Sequence, residues 1–353
     1  MSSKEYVKVG EELTLNYGKS LPARDRITGQ YEVVGSNGVV DRHNQFAMEG
    51  PGIVVGRKGS VGALTWLANN FWAIDTTYYA SLNGEGDLKY WYYQLSDLKL
   101  DTLNSHAAVP GLNRDNVYRI EVLKRSRVEQ EKIAKILGDL DRKIELNRQK
   151  NETLEQIGQS LFKQYFVDKP ESDSWEKGTL KDIVVNFDSK RIPVSSRERV
   201  KRKKVYRYFG ATSVMDYIDD YLFDGTYLLF AEDGTVIKED GTPVLQYVWG
   251  KFWVNNHAHV LQAKKPFTVE YLYLLLKATN IQSLVSGAVQ LKVNQGALNS
   301  IKIAIPPDDI ILEFSIIIEP IFKLYRRNSE EIITLGLLKD SILPKLMSGE
   351  IKV

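Results

Sequence analysis

The chain has 353 residues and 40.2 kDa, with 47 Lys plus Arg against 45 Asp plus Glu and a formal net charge of +2. Hydrophobic content of 43% and charged content of 26% are ordinary globular values, so the chain is folded rather than disordered, in two or three domains at roughly 100–200 residues each. The absence of cysteine excludes a disulfide framework, an iron–sulfur cluster, a cysteine nucleophile and thiolate zinc sites, and it fits a reducing cytoplasm.

The start, Met1 to Tyr6, lacks the apolar stretch of a signal peptide. A loop with Lys19, Arg24 and Arg26 precedes short β-like segments at Tyr31–Val34, Ile53–Val55 and Trp72–Ile74. Between them the turn Gly56-Arg57-Lys58-Gly59-Ser60 offers a guanidinium, an ammonium and a hydroxyl to phosphates or base edges, or simply joins two strands. Tyr90–Leu95 reads as a helix. From Arg127 to about Phe166 there is no proline, and Ile133, Leu137, Leu140, Ile144, Asn147, Asn151, Leu154, Gly158 and Leu161 recur at heptad spacing, a coiled-coil seam.

A second basic loop, Arg197-Glu198-Arg199-Val200-Lys201-Arg202-Lys203-Lys204, is followed by Tyr206, Tyr208 and Phe209, a pattern that favours phosphate contact over a merely solvated face. Strand-like Tyr227–Phe230 and His259–Gln262 and a helix at Tyr271–Ala278 come next. A second seam runs through Phe314, Ile318, Ile321, Tyr325, Asn328, Ile332, Leu335 and Ile342; Pro320 is expected to perturb its early turns and Pro344 to break its end. Its most apolar stretch, Ile310 to Ile321, contains Glu313, Glu319 and Pro320 and is too short and too charged to span a membrane.

The chain repeats itself. Tyr90/Tyr271, Asn113/Asn294, Val117/Leu298, Ile120/Ile301, Leu140/Ile321, Asn147/Asn328 and Leu161/Ile342 share one offset, and Phe71-Trp72 falls opposite Phe252-Trp253. Gly29–Val39 resembles Val205–Val214, and Gly52–Ser60 resembles Gly225–Gly234. A period this long exceeds the roughly 20–50 residues of a solenoid repeat and marks a tandem duplication. It predicts an α+β fold: two similar mixed α/β domains, each ending in a long helix, with the two helices packed antiparallel on each other.

No catalytic pattern stands out. Gly18-Lys19-Ser20 imitates the end of a P-loop, but Leu13 occupies the position of its first glycine. His43, His106, His257 and His259 show no metal-ligand spacing, and Pro306-Pro307 lacks the neighbours of a methyltransferase motif. No metal site is expected.

Several segments together resemble the specificity subunits of type I restriction–modification systems: Gly56–Gly62 with Ile74-Asp75-Thr76-Thr77, Tyr208–Thr212, Asp219–Leu222, Leu228–Gly234, Asn255–Val260, Gln130–Leu137 and Leu343–Ile351. The resemblance covers essentially the whole chain. It implies target-recognition domains at 1–125 and 169–307, each reading one half of a bipartite double-stranded DNA sequence, and spacer helices at 126–168 and 308–348. Those helices would act as a ruler and dock two methyltransferase (modification) subunits, with restriction (motor-nuclease) subunits joining them. The chain itself would be non-catalytic and bind no cofactor; methyl donor, ATP and magnesium would belong to the partners, and no membrane is involved. An orphan or decoy subunit, or a nuclease or methyltransferase fragment, is the alternative. Candidate DNA contacts are Lys19, Arg24, Arg26, Arg57, Lys58, Ser60, Arg197, Arg199, Lys201, Arg202, Lys203 and Lys204. Where the first copy has Gly56-Arg57-Lys58-Gly59, the second has Ala231-Glu232-Asp233-Gly234; that acidic turn either reads a cytosine amino group or is structural.

Overall fold

The computed structural model describes residues 5–103, 111–287 and 290–353; His106 lies outside them. The chain forms two compact units, residues 1–146 with 331–353, and residues 147–330.

In the first unit β1 (Tyr6–Lys8) passes through one helical turn, α1 (Val9–Glu12), into β2 (Leu13–Tyr17). The strands β3 (Tyr31–Gly35), β4 (Gly38–His43), β5 (Gly52–Gly56), β6 (Leu64–Leu67), β7 (Phe71–Ala73) and β8 (Thr77–Leu82) follow. Then come α2 (Leu88–Asp97), α3 (Arg114–Tyr118), β9 (Glu121–Leu123) and α4 (Arg127–Phe162), which this unit holds as far as Leu146. The sheets have the orders β2-β8-β5-β6 and β4-β3-β7, with β3 parallel to β7 and β1 paired to β9. Strand β5 reads as an unbroken apolar run because both faces are covered. Ile53 and Val55 join one core with Tyr78, Tyr90 and Trp91, while Val54 joins a second with Phe71.

The second unit repeats this order. It runs through β10 (Glu176–Thr179), α5 (Leu180–Ile183), β11 (Val184–Asn186), α6 (Ser196–Val200), β12 (Tyr206–Phe209), β13 (Val214–Ile218) and β14 (Phe223–Asp224). It continues with β15 (Tyr227–Ala231), β16 (Leu245–Val248), β17 (Lys251–Val254), β18 (Ala258–Ala263), α7 (Val269–Lys277), α8 (Gln295–Asn299), β19 (Lys302–Ile305) and α9 (Asp308–Ser348), which this unit holds as far as Glu330. The sheet orders are β11-β18-β15-β16 and β13-β12-β17-β14, with β12 parallel to β17. Val34 faces Ala73 in the first unit as Phe209 faces Val254 in the second. The equivalent Asn113 and Asn294 both cap a short helix, accepting from the backbone N–H groups of Asp115 and Ala297 at 2.9 Å. The duplication therefore extends to register and caps.

The helices α4 and α9 run antiparallel within each unit. In the first, Lys339 Nζ donates to Asp141 Oδ1 at 2.7 Å, and Arg125 Nη2 donates to the Leu346 carbonyl at 2.7 Å. In the second, Asn328 Nδ2 donates to Asn151 Oδ1 at 3.0 Å, and Asn151 Nδ2 donates to Ser329 Oγ at 2.8 Å. Of the heptad residues, Ile133, Leu137, Ile144, Asn147 and Asn328 are buried, while Leu140, Leu154, Leu161, Ile321, Leu335 and Ile342 are half-buried. The buried face is wider than that seam, because Phe162, Phe166, Ile311 and Phe322 join the second unit's core. Each helix packs on its partner and joins the core of the unit it runs through. Contrary to expectation, α9 continues through Pro320 and Pro344. Both prolines are exposed, as are Ile316 and Asp340, so each carbonyl left without its helical donor lies on the solvated side of the helix.

The Asn151–Asn328 pair is buried, so Asn328→Ala should leave the Asn151 carbonyl without its donor and cost about 1–3 kcal/mol. Replacing both by Leu should restore most of that stability while relaxing the register of the two helices. Urea unfolding of the single and double variants measures the difference.

Candidate nucleic-acid interface

In the first unit Lys19 and Arg24 are exposed, with 86% of the Arg24 side chain open to solvent. Arg26 is turned inward. Its Nε and Nη2 donate to the Leu21 carbonyl at 3.3 Å and its Nη1 to Asp41 Oδ2 at 3.3 Å. The loop is held a second time by Trp72, whose Nε1 donates to the Lys19 carbonyl at 2.9 Å.

The second unit builds the same arrangement from a longer loop. Ser195 and Glu198 form a capping box that starts α6 inside the basic run, which is why a glutamate stands among the cations. Arg199 Nη1 donates to the Val194 carbonyl at 2.6 Å, its Nε to Asp216 Oδ2 at 3.1 Å, and its guanidinium lies 4.8 Å from the Tyr208 ring centre. Lys204 Nζ donates to Asp216 Oδ1 at 2.8 Å, and Arg202 pairs with Asp219 at 3.5 Å over the Trp253 ring. Trp253 Nε1 donates to the Ile192 carbonyl at 2.6 Å. The Lys204 hydrogen bond, the Tyr217 N–H and Arg199 pull the Asp216 carboxyl down to about 2. Arg197, Lys201 and Lys203 remain exposed, with no side-chain hydrogen bond or ion pair among the described residues. The run thus divides into three cations held by side-chain partners, Arg199, Arg202 and Lys204, and three exposed ones without.

The glycine turn divides similarly. Arg57 Nη2 donates to the Asp75 carbonyl at 2.6 Å, and the guanidinium lies 5.1 Å from the Tyr17 ring centre and 5.8 Å from that of Tyr78. Tyr78 Oη donates to the Leu112 carbonyl at 3.2 Å. Lys58 and Ser60 face solvent around Gly59, whose φ of 79° suits glycine. In the second unit Gly234 has the equivalent φ of 82°, but the turn carries opposite charge. Glu232 accepts from Arg191 Nη1 at 2.6 Å and pairs with Lys292 at 3.4 Å, and Asp233 meets His257 Nδ1 at 2.7 Å. His259 stands where Tyr78 does: Nδ1 is 2.5 Å from Asp188 and Nε2 is 2.8 Å from the Val293 carbonyl. Burial pushes the Asp188 carboxyl up, but its contacts with His259, the Val260 N–H and Arg191 outweigh that and hold it below the ordinary value. This hub gives the acidic turn a structural role.

Asp188, Glu232 and His259 also lie within metal-ligand distance of one another. They do not fit a metal, because Arg191 occupies the carboxylates and both ring nitrogens of His259 already face acceptors. Sequence reasoning missed Asp41, Asp216, Trp72, Trp253, Tyr17, Tyr78, Asp188 and Arg191. The two tryptophans were already aligned by the repeat, and carrying that alignment on to Asp41 and Asp216 would have exposed the clamp.

A family model described as the type I restriction modification DNA specificity domain matches residues 1–156 and 172–333. Over 288 residues the chain is 26% identical to the type I restriction enzyme MjaIX specificity subunit of Methanocaldococcus jannaschii, covering 72% of this chain and 66% of that protein. Over 144 residues it is 33% identical to S.HindORF215P of Haemophilus influenzae, named as a type I restriction enzyme specificity subunit, covering 40% of this chain and 36% of that protein. These matches span between about a third and two thirds of the relatives' own lengths. The crystal structure of a type I restriction–modification S subunit from M. genitalium shares the fold, with a TM-score of 0.67 at 16% identity over 98% of this chain and 97% of that one.

Proposed function

Because the chain belongs to the type I restriction modification DNA specificity family, we propose that it selects DNA sequence for a modification enzyme and performs no chemistry itself. Residues 1–125 and 169–307 act as target-recognition domains, each reading one half of a bipartite double-stranded target. The helices at 126–168 and 308–348 dock two methyltransferase subunits, which restriction subunits join. Methyl donor, ATP and magnesium are used by those partners, and the complex works in the cytoplasm beside its DNA. Among the described residues no helix is long and apolar enough to cross a membrane.

The observation that carries this reading is the duplicated clamp. Twice over, a basic loop is fixed on a two-stranded hairpin with its remaining cations facing outward, an arrangement that suits phosphate contact beside base readout. The discriminating experiment incubates duplex DNA with the purified chain and magnesium or methyl donor, and then with modification subunits added. The chain alone leaves the DNA unaltered, and the assembled complex methylates it at selected sequences. Cleavage or methylation by the chain alone contradicts the proposal, and co-purification without sequence-selective methylation identifies a decoy subunit.

The outward cations carry a salt prediction. Each phosphate neutralised contributes about 0.9 to the slope of log affinity against log salt. Replacing Arg197, Lys201 and Lys203 by Gln should therefore flatten that slope by about 2–3 while leaving sequence preference unchanged. Binding titrations of the assembled complex at several salt concentrations read the change.

A further inference from the structure

We propose that Asp41 and Asp216 are positioning residues: each anchors the basic loop of its unit on the neighbouring hairpin and thereby sets which bases that unit selects. The inference rests on the DNA-selecting reading above and extends it to named side chains.

A carboxylate beside a phosphate-binding loop repels the ligand, so its presence calls for a compensating role. Here it occurs twice with a shared set of contacts, to which Asp216 adds Lys204 Nζ at 2.8 Å. Asp41 on β4 holds Arg26, and Asp216 on β13 holds Arg199. Each arginine also donates to the carbonyl five residues before it, Leu21 or Val194. Each carboxylate also accepts from the backbone N–H of the following residue, Arg42 or Tyr217, at 2.8 Å. An indole closes both arrangements, Trp72 on the Lys19 carbonyl and Trp253 on the Ile192 carbonyl. In each pair the arginine is the more buried partner, with 15% of its side chain exposed in the first unit and 13% in the second. These two arginines are thus spent inside the protein.

The clamped hairpins carry exposed apolar side chains beside the loop. In the first unit these are Val39 and Val40, and in the second Val214, Met215 and Tyr217. Apolar side chains on the edge strand of a sheet can meet thymine methyl groups in the major groove, whereas lysine and arginine on phosphates fix register without reading sequence. The clamp joins the two tasks: it sets where the hairpin lies once the loop cations have found the backbone.

The test uses the full-length chain and a random-sequence duplex library. The sequence enriched by the wild type is then altered in one half at a time, and affinities are measured over a range of salt. Asp216→Asn should lose about tenfold or more of its discrimination at one half-site, keep its discrimination at the other and leave the salt slope unchanged. Asp41→Asn should do the converse. The intact half-site shows in the same molecule that the chain is folded. Arg199→Gln should lower discrimination at the same half-site, though by less than Asp216→Asn, which also releases Lys204, and combining the two should lose less than the sum because they share the Arg199–Asp216 pair. Unchanged discrimination at both halves, or uniformly tighter binding as expected from removing a repulsive charge, overturns the positioning role. A wild type that enriches no sequence instead overturns the DNA-selecting reading on which it rests.

Discussion

Exchanging residues 1–146 together with 331–353 for the equivalent segments of a relative should change one half of the selected DNA sequence and leave the other half as it was. Each unit has its own core, and among the described residues no member of one core is drawn from the other unit. The first unit's core is not built from the first residues alone. Leu346 and Met347, 1% and 3% exposed, close it beside Ile133 and Leu137, and Arg125 holds the Leu346 carbonyl. An exchange limited to residues 1–125 therefore sets two buried side chains against a surface shaped for others. A misfit of that kind costs about 1–3 kcal/mol through strain and more where a cavity remains, so the shorter exchange should yield a less stable chain. Methylation sequencing of cells carrying each exchanged chain with its modification subunit reads the outcome. A change in both halves from the longer exchange would show that the two units do not read DNA independently.

Phe314→Ala should lower the stability of the second unit by about 3–5 kcal/mol, a large share of the 5–15 kcal/mol that usually separates folded from unfolded domains. Phe314 is fully buried, and its ring centre lies 4.8 Å from that of Phe166, 5.6 Å from Tyr165, 6.2 Å from Phe162 and 6.4 Å from Tyr271. Removing it opens a hole among aromatic rings that also pack on one another, so the surroundings can collapse little. At a urea dependence of about 1–3 kcal/mol per molar, the unfolding midpoint should fall by more than 1 M. Trp175 is buried in the same cluster, 6.2 Å from Phe166, and its fluorescence reports the transition. A loss below about 1 kcal/mol would mean that the cluster repacks.

The duplication was legible in the sequence because a repeat preserves what each position must do. Asn113 and Asn294 keep the cap, Val117 and Leu298 keep the core, and Trp72 and Trp253 keep the indole that holds the loop. The β-like segments were legible for a similar reason, since a strand buried on both faces reads as an apolar run, as at Ile53–Val55 within β5. What the sequence hid was partnership. Arg26 and Arg199 look like any other loop cation, because their carboxylates stand 15 and 17 residues further on. Pairing across a hairpin is not visible in local charge. The wide buried face of α4 and α9 was hidden by the heptad itself: Phe162 and Phe322 fall outside the seam, yet Phe162 packs on Phe314 and Tyr271, and Phe322 on Tyr247 of β16. The exposed prolines of α9 show the converse, a local signal overridden where the freed carbonyls lie toward water.

On the proposed function, the two similar units of this chain each select a short stretch of DNA. The most direct measurement is enrichment of a random-sequence duplex library on the full-length chain assembled with its modification subunit, followed by sequencing of the bound fraction. The expected result is one enriched pattern made of two specified stretches separated by a fixed number of unspecified base pairs. Enrichment of a single continuous stretch, or of none, would contradict it.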